Sequence, residues 1–300
     1  MTTLQVGDEG YPACLRQIHD PPARLFVQGR LPAEEMIAIV GSRRATPYGL
    51  RVAYRLAADL SQCGVVVVSG LARGVDAAAH RGALSGPTPT VAVMATGLDR
   101  IYPPEHADLA AQIARTGALV TEAPDGTPPL PARFPVRNRI ICGLSKGVVV
   151  VEAAARSGAL ITANMAGREG REVFAVPGSI ENPLTEGTHA LIDDGAKLVR
   201  DVDDILEEFP TLARVHARAR TYASARADRY APARANSGPQ ETALRDVWEL
   251  LDLDIPRHHD EVATQLGITA AELNRRITVL EMGNYIIGDA GGLRRRGPAS

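Results

Sequence analysis

From residue 36 onward the chain alternates short, almost purely apolar runs with amphipathic segments, and this alternation constrains the fold more than any other feature. The runs are Met36–Val40, Val65–Ser69, Val91–Ala95, Leu119–Glu122, Gly147–Glu152, Val173–Val176 and a weaker Lys197–Val199. Helical patterns fill the intervals, over residues 48–62, 74–85, 104–116, 136–145, 157–169, 186–194 and 201–208. A strand apolar on both faces needs cover on both faces, and strand–helix–strand units close parallel pairs by right-handed crossovers. The pattern specifies an α/β fold: a Rossmann-like, doubly wound, mainly parallel sheet.

The flanks differ in texture. Residues 1–34 are Pro-containing and weakly patterned, an N-terminal adapter segment with Leu25-Phe26-Val27 as an edge strand. The Rossmann-like domain is expected over 35–209. Residues 210–238 are rich in Ala and Arg, lack a sustained apolar face and read as a basic linker. Residues 239–297 carry three helical patterns. Gly267 caps the second; Thr269 with Glu272 opens the third at capping-box spacing, and Gly283 ends it. Tyr285-Ile286-Ile287 and a turn at 289–292 predict a hairpin, so this unit reads as a small C-terminal winged-helix domain.

A formal net charge of -2 provides no overall attraction to a polyanion, so any such site must come from local placement of positive charge. Only Lys146 and Lys197 are lysines; every other basic residue is arginine, whose planar fork suits phosphate. Cys14, Cys63 and Cys142 are widely spaced, which fits buried thiols in a reducing cytoplasm rather than disulfides or a zinc site. The start of the chain does not resemble a signal peptide, and no apolar run approaches the roughly 20 residues needed to span a bilayer. A cytoplasmic protein with no membrane association is expected.

Sites in doubly wound sheets lie beyond the carboxyl ends of the strands. The Gly-rich turns of this chain fall there: Gly41-Ser42-Arg43, Ser69-Gly70 with Arg73-Gly74, Gly97-Leu98-Asp99, Arg156-Ser157-Gly158 after Glu152, and Pro177-Gly178. In SGLARGVDAAAH, residues 69–80, Gly70 and Gly74 are free to take positive φ, and the next helix opens with outward amides that suit phosphate. Arg73 adds a clamp, while Asp76 and His80 share a helix face. In FPVRNRIICGLS, residues 134–145, Pro135 can start a helix. Arg137 then shares a face with Ile141 and Leu144, and Arg139 lies on another. Both arginines suit phosphate oxygens. Strand ends converge on one rim, so Arg43, Arg73 and Arg156 are expected to look into one cleft. The competing reading pairs Arg43 or Arg156 with Glu122 or Glu152, and leaves His80 on the helix surface. His258 and His259 are expected to be solvated.

The first turn, GSRRATPYG, lacks the GxGxxG spacing of dinucleotide sites, and there is no Walker lysine, HExxH or nucleophile elbow. Phosphate seats without a transfer or hydrolysis motif read as a binder: no catalytic residue, cofactor or metal is expected.

GSR at 41–43, SGLARGVDAAAH at 69–80, GLDRIYPPEH at 97–106, FPVRNRIICGLS at 134–145, VVVEAAARSGALITA at 149–163, GREVFAVPG at 170–178 and GTHALIDDGA at 187–196 together resemble the DNA processing protein A (DprA, or Smf) family. The resemblance implies a single-stranded DNA-binding protein of natural transformation and recombination. Such proteins protect incoming strands, help load the RecA recombinase and form homodimers. It implies a DNA-binding set of Gly41, Ser42, Arg43, Ser69, Gly70, Arg73, Gly74, Arg137, Asn138, Arg139, Arg156, Ser157, Gly158, Thr162, Gly187 and Thr188. Two departures are visible: Gly187-Thr188-His189 where the family usually has GTN, and Arg156-Ser157-Gly158 where it often has KSG. With aromatics at 4%, base stacking and sequence preference are expected to be limited. In the winged helix, Asn274, Arg275 and Arg276 could enter a duplex groove and Arg294, Arg295 and Arg296 hold its backbone, or the unit could serve protein contacts.

The rival is a Rossmann-type nucleotide-processing enzyme like the phosphoribohydrolases, whose PGGxGTxxE signature is broken here into Pro177-Gly178 and Gly187-Thr188. A nicotinamide-dependent oxidoreductase and a protein-interacting scaffold are the remaining alternatives.

Overall fold

The computed structural model describes residues 1–209, 242–251, 257–282, 285–289 and 292–295. The chain divides into two compact units, residues 1–220 and 221–300. The basic linker expected at 210–238 lies outside the described residues, as do Gly283, Arg296 and the side chains of Arg294 and Arg295.

The first unit is a nine-stranded sheet with helices on both faces. Its strands are β1 (Thr2–Gln5), β2 (Arg24–Gly29), β3 (Met36–Val40), β4 (Val66–Ser69), β5 (Thr90–Val93), β6 (Ala118–Thr121), β7 (Gly147–Val150), β8 (Glu172–Ala175) and β9 (Lys197–Leu198). Spatial order is β1-β2-β6-β5-β4-β3-β7-β8-β9. Strands β3 to β9 pair in parallel, while β2 lies antiparallel to β6 and β1 antiparallel to β2. From β3 the chain winds outward through β4, β5 and β6, then returns to β7 on the other side. The switch point therefore lies between β3 and β7.

Alternation along each strand assigns the two faces. Ala38 and Val40 join Ile140, Ile141, Leu144 and Ala163 under α5 (Arg133–Leu144) and α6 (Gly158–Arg168). Ile37 and Ile39 join Leu56, Leu60 and Ala79 under α2 (Pro47–Gln62) and α3 (Val75–Leu84). The remaining helices of this unit are α1 (Ala13–Arg16), α4 (Ala107–Thr116), α7 (Glu186–Asp193) and α8 (Val202–Leu206). Among the described residues no helix is long and apolar enough to cross a membrane.

Residues 1–34 differ from expectation. Leu25–Val27 lie in a strand, but β1 covers it, so β2 is not the edge. Tyr11, Leu15, Ile18, Leu25 and Val27 belong to the main core, which makes this segment part of the sheet unit. The Tyr11 hydroxyl donates to the Pro22 carbonyl at 2.8 Å.

His80 is buried rather than on the helix surface. Thr90 Oγ1 spends its single proton on the Val67 carbonyl (2.7 Å), so it accepts from His80 Nδ1–H at 2.9 Å and leaves Nε2 without a partner. Burial holds the imidazole neutral, its pKa lowered to about 3. The unfolded chain then takes up a proton on this group below its ordinary pKa of about 6.5 while the folded chain does not. Between that value and about 3, stability should fall with falling pH by up to about 1.4 kcal/mol per unit from this residue. His80→Gln, which keeps a hydrogen-bonding group but does not titrate, should show a flatter acid limb in denaturation midpoints. An unchanged limb would remove His80 as its cause.

The second unit holds α9 (Thr242–Leu250), α10 (His259–Leu266) and α11 (Ala270–Met282), then the antiparallel pair β10 (Ile286–Asp289) and β11 (Gly292–Arg295). Its own core includes Val247, Trp248, Val262, Leu273, Ile277, Leu280, Ile286 and Leu293. Gly267 ends α10 at φ 64°. Thr269 Oγ1 accepts from the Glu272 amide at 3.2 Å, half of the expected capping box. The Glu272 carboxylate bonds instead to Arg275 (2.6 Å) and Arg276 (3.0 Å).

Candidate functional site

A cleft of about 480 Å³ opens at the switch point between β3 and β7. Its lining includes Gly41, Ser42 and Arg43 after β3, Phe134, Arg137 and Asn138 of α5, and Ser157, Gly158 and Thr162 at the start of α6. The first turn is shaped by close backbone approach. A Cβ on Gly41 would come 2.6 Å from Val75 Cγ2, and one on Gly74 (φ 73°) would overlap the Ser42 carbonyl oxygen. Ser42 donates its amide to Glu152 O at 2.7 Å, and its hydroxyl accepts from the Arg44 amide at 3.1 Å. Ser157 caps α6 by accepting from the Ala159 amide at 3.2 Å. The backbone N–H groups of Arg43 and Gly158 have no hydrogen-bond partner among the described residues.

Glu152 is fully buried and pins this rim together: it accepts from the Thr46 amide (2.8 Å) and the Thr46 hydroxyl (2.6 Å), which in turn caps α2. Glu122 is engaged by Arg139 at 2.6 Å. Neither carboxylate pairs with Arg43 or Arg156. Both arginines are exposed, and neither meets a carboxylate within 4.0 Å among the described residues.

The arginines expected to hold phosphate, Arg43, Arg73, Arg137, Arg139 and Arg156, do not gather in one cleft. Arg43 and Arg137 line the cleft; Arg73, Arg139 and Arg156 do not. Arg73 Nε donates to Glu105 at 2.5 Å. Arg139 reaches away from the cleft to Asp20 (2.8 Å) and Glu122, because it occupies a different face of α5. Arg156 is exposed next to Ser157 and has no carboxylate partner among the described residues. Arg137 is only 5% exposed. Its Nη1 donates to the carbonyls of Gly70 (2.8 Å) and Val93, and its Nε to Asn138 Oδ1 (3.2 Å), so Nη1 holds the ends of β4 and β5.

Several other expected residues support the turns rather than line the cleft. Ser69 is buried and donates to Ile39 O at 2.6 Å. Gly70 is not at positive φ; the neighbouring Leu71 is, at 57°. Gly70 is required for another reason, since a Cβ there would sit 2.5 Å from the Arg137 guanidinium. Gly187 donates its amide to Ala153 O at 2.8 Å, and Thr188 is buried with its hydroxyl on Thr185 O at 3.0 Å.

Two aromatic residues escaped the sequence reading. Phe134 and Tyr102 both line the cleft and meet edge-to-face with centroids 5.7 Å apart. Arg43 Cζ lies 4.8 Å from the Phe134 centroid, and Arg137 Cζ lies 6.0 Å from it. Both rings sit in motifs already quoted, GLDRIYPPEH and FPVRNRIICGLS, so local motifs carried a signal that bulk composition hid.

Asp76 Oδ2 accepts from the amides of Gly70 (3.1 Å) and Ala72 (3.3 Å). Burial pushes the Asp76 carboxyl above the usual range, opposed chiefly by Arg137. Burial likewise lowers Arg137 to about 10; Asp76 opposes the shift and Arg43 adds to it. Arg137 is nonetheless a cation at neutral pH. Among the described residues no group of three His, Cys, Asp or Glu could hold a metal ion.

A doubly wound sheet with a cleft at its switch point lined by Arg43 and Arg137, joined to a helix–helix–helix–hairpin unit, defines a Rossmann-like protein carrying a winged helix. Residues 2–210 match the family described as DNA recombination-mediator protein A, and residues 231–292 match the DprA winged helix domain. The chain belongs to the DNA recombination-mediator protein A family. Protein Smf of Escherichia coli (strain K12) is 50% identical over 209 residues, which cover 69% of this chain and 56% of that protein. The DNA processing protein DprA of Bacillus subtilis is 43% identical over 213 residues, 70% of this chain and 72% of that one. The chain thus spans little more than half the length of the E. coli relative. Among solved structures, Streptococcus pneumoniae DprA superposes with TM-score 0.67 at 43% identity, over 69% of this chain and 74% of that one. Helicobacter pylori DNA processing protein A, described by its single-stranded DNA binding mode, gives TM-score 0.62 at 29% identity, over 70% and 95%.

Proposed function

We propose that this protein binds single-stranded DNA through the switch-point cleft, protects the strand, and passes it to RecA as a homodimer during transformation or recombination. The observation that carries the reading is Arg43: exposed, without a carboxylate partner among the described residues, and stacked on Phe134 on the same cleft as the unpaired Gly158 amide that opens α6. A phosphate can meet the guanidinium and the amide while a base lies against the ring. The single-stranded DNA binding named for the H. pylori relative supports the same ligand. RecA handover and dimerisation rest on the family alone. The same residues favour a binder over an enzyme. Asp76 is held by two amides, and His80 is neutral, buried and not part of the cleft lining. Release of free base from AMP would establish the phosphoribohydrolase reading instead.

Anisotropy titrations of the full chain against a labelled single strand and the matching duplex test the proposal. Tighter single-strand binding that weakens with added salt is expected; equal or absent binding would overturn it. On the winged helix, Arg275 and Arg276 are already held by Glu272, and acidic residues outnumber basic ones over 239–297. That arrangement favours protein contacts over duplex phosphates.

The Arg73–Glu105 pair yields a further expectation. Both side chains are exposed, and the carboxylate competes with phosphate for Arg73. Glu105→Gln should tighten single-strand binding and steepen its salt dependence by up to about one unit of slope. Weaker binding would show that Glu105 supports the strand.

A further inference from the structure

The cleft holds more positive charge than its walls neutralise. Asp76 is the one carboxylate lining it among the described residues, and one of its oxygens is spent on backbone amides. Two guanidiniums, Arg43 and Arg137, flank the same Phe134 ring. Arg137 Nη2 has no hydrogen-bond partner among the described residues, although the side chain is 95% buried and lines the cleft. The unpaired N–H of Gly158 opens an 11-residue helix on the same cleft. A buried cation with an unused donor, a second cation and a helix start together lack an acceptor with more than one negative charge.

We propose that the cleft seats a terminal nucleotide phosphate, a phosphomonoester carried by a strand end or by a free nucleoside monophosphate, with the attached base against Phe134. The proposal rests on the single-strand reading above and deepens it. An internal phosphodiester carries one negative charge, whereas a monoester carries about 1.5 to 2 at neutral pH and offers three acceptor oxygens. Those oxygens match the fork of Arg43, the free donor of Arg137 and the Gly158 amide. The volume also suits a small ligand: about 480 Å³ falls in the roughly 300–1,000 Å³ range of such sites. Crevices at switch points of doubly wound sheets are where nucleotides dock.

The test uses the full chain and single strands of one sequence with a 5′-phosphate, a 3′-phosphate, hydroxyls at both ends, or no ends because the strand is circular. AMP, adenosine and inorganic phosphate serve as competitors. A phosphorylated end should tighten binding about 3–10-fold over the hydroxyl-ended strand, and AMP should displace strand at lower concentration than adenosine. The 5′ and 3′ arms identify which end is taken, and the AMP arm identifies a free nucleotide. Gly158→Val places its side chain in open space, where an added Cβ meets no atom within 4 Å, so the fold is kept while the phosphate seat is occupied. It should abolish the end preference. Equal binding of all four strands with AMP inert would overturn the inference and leave the single-strand reading intact. A preference untouched by Gly158→Val would overturn it equally. Failure of every strand to bind would instead remove the reading beneath it, with AMP binding alone then supporting the free-nucleotide form.

Discussion

Replacing Arg137 by Met should destabilise the fold by about 3–5 kcal/mol, seen as a lower denaturant midpoint. Methionine can fill much of the volume, so the loss would be electrostatic rather than a cavity. Arg137 Nη1 satisfies carbonyls at the ends of two neighbouring strands, Gly70 after β4 and Val93 in β5. Without it those acceptors stay buried and unmet, and the Asp76 carboxylate loses the charge that most opposes its desolvation. Asp76→Asn in the Arg137→Met background removes the orphaned charge, so the double variant should recover part of the loss, with a coupling of about 0.5–3 kcal/mol. A drop below about 1 kcal/mol in Arg137→Met would mean that water or a neighbouring donor replaces the guanidinium.

Arg137 also shows what was legible in the sequence and what was not. All seven strands from Met36 to Leu198 stand close to their apolar runs, because a strand buried on both faces leaves a continuous signature. Strand β1 left none, since Thr2, Thr3 and Gln5 are exposed and Leu4 is the one residue of this short edge strand that packs against the core. The helical spacing that put Arg137 on one face with Ile141 and Leu144 was correct, and both of those residues are buried. The same spacing therefore carried the warning that Arg137 would be buried with them. Arg139 is a different case. Its partners Asp20 and Glu122 lie 119 and 17 residues away, and nothing local announces a tertiary ion pair. The pairing of Phe134 with Tyr102 is also non-local, built by the first turn of α5 and the loop that follows β5.

The largest effect on strand binding should come from removing Arg43 and Phe134 together. Arg43→Ala alone is expected to weaken single-strand binding by about 1–3 kcal/mol through loss of a charge-assisted contact. Phe134→Ala should cost about 1–3 kcal/mol through loss of stacking. Arg156→Ala should do less than Arg43→Ala, because Arg156 stands beside the cleft and not in its wall. Salt separates the two main terms: Arg43→Ala should lower the slope of log affinity against log salt by about one, whereas Phe134→Ala should leave it unchanged. The guanidinium lies 4.8 Å from the ring centroid, so each residue orients the other, and the double variant should lose less than the sum of the singles by about 0.5–1 kcal/mol. Strict additivity with an unchanged slope in both variants would mean that strand phosphates and bases are held elsewhere. A coupled loss with the slope falling only when the cation is removed is the signature that one cleft grips backbone and base at the same nucleotide.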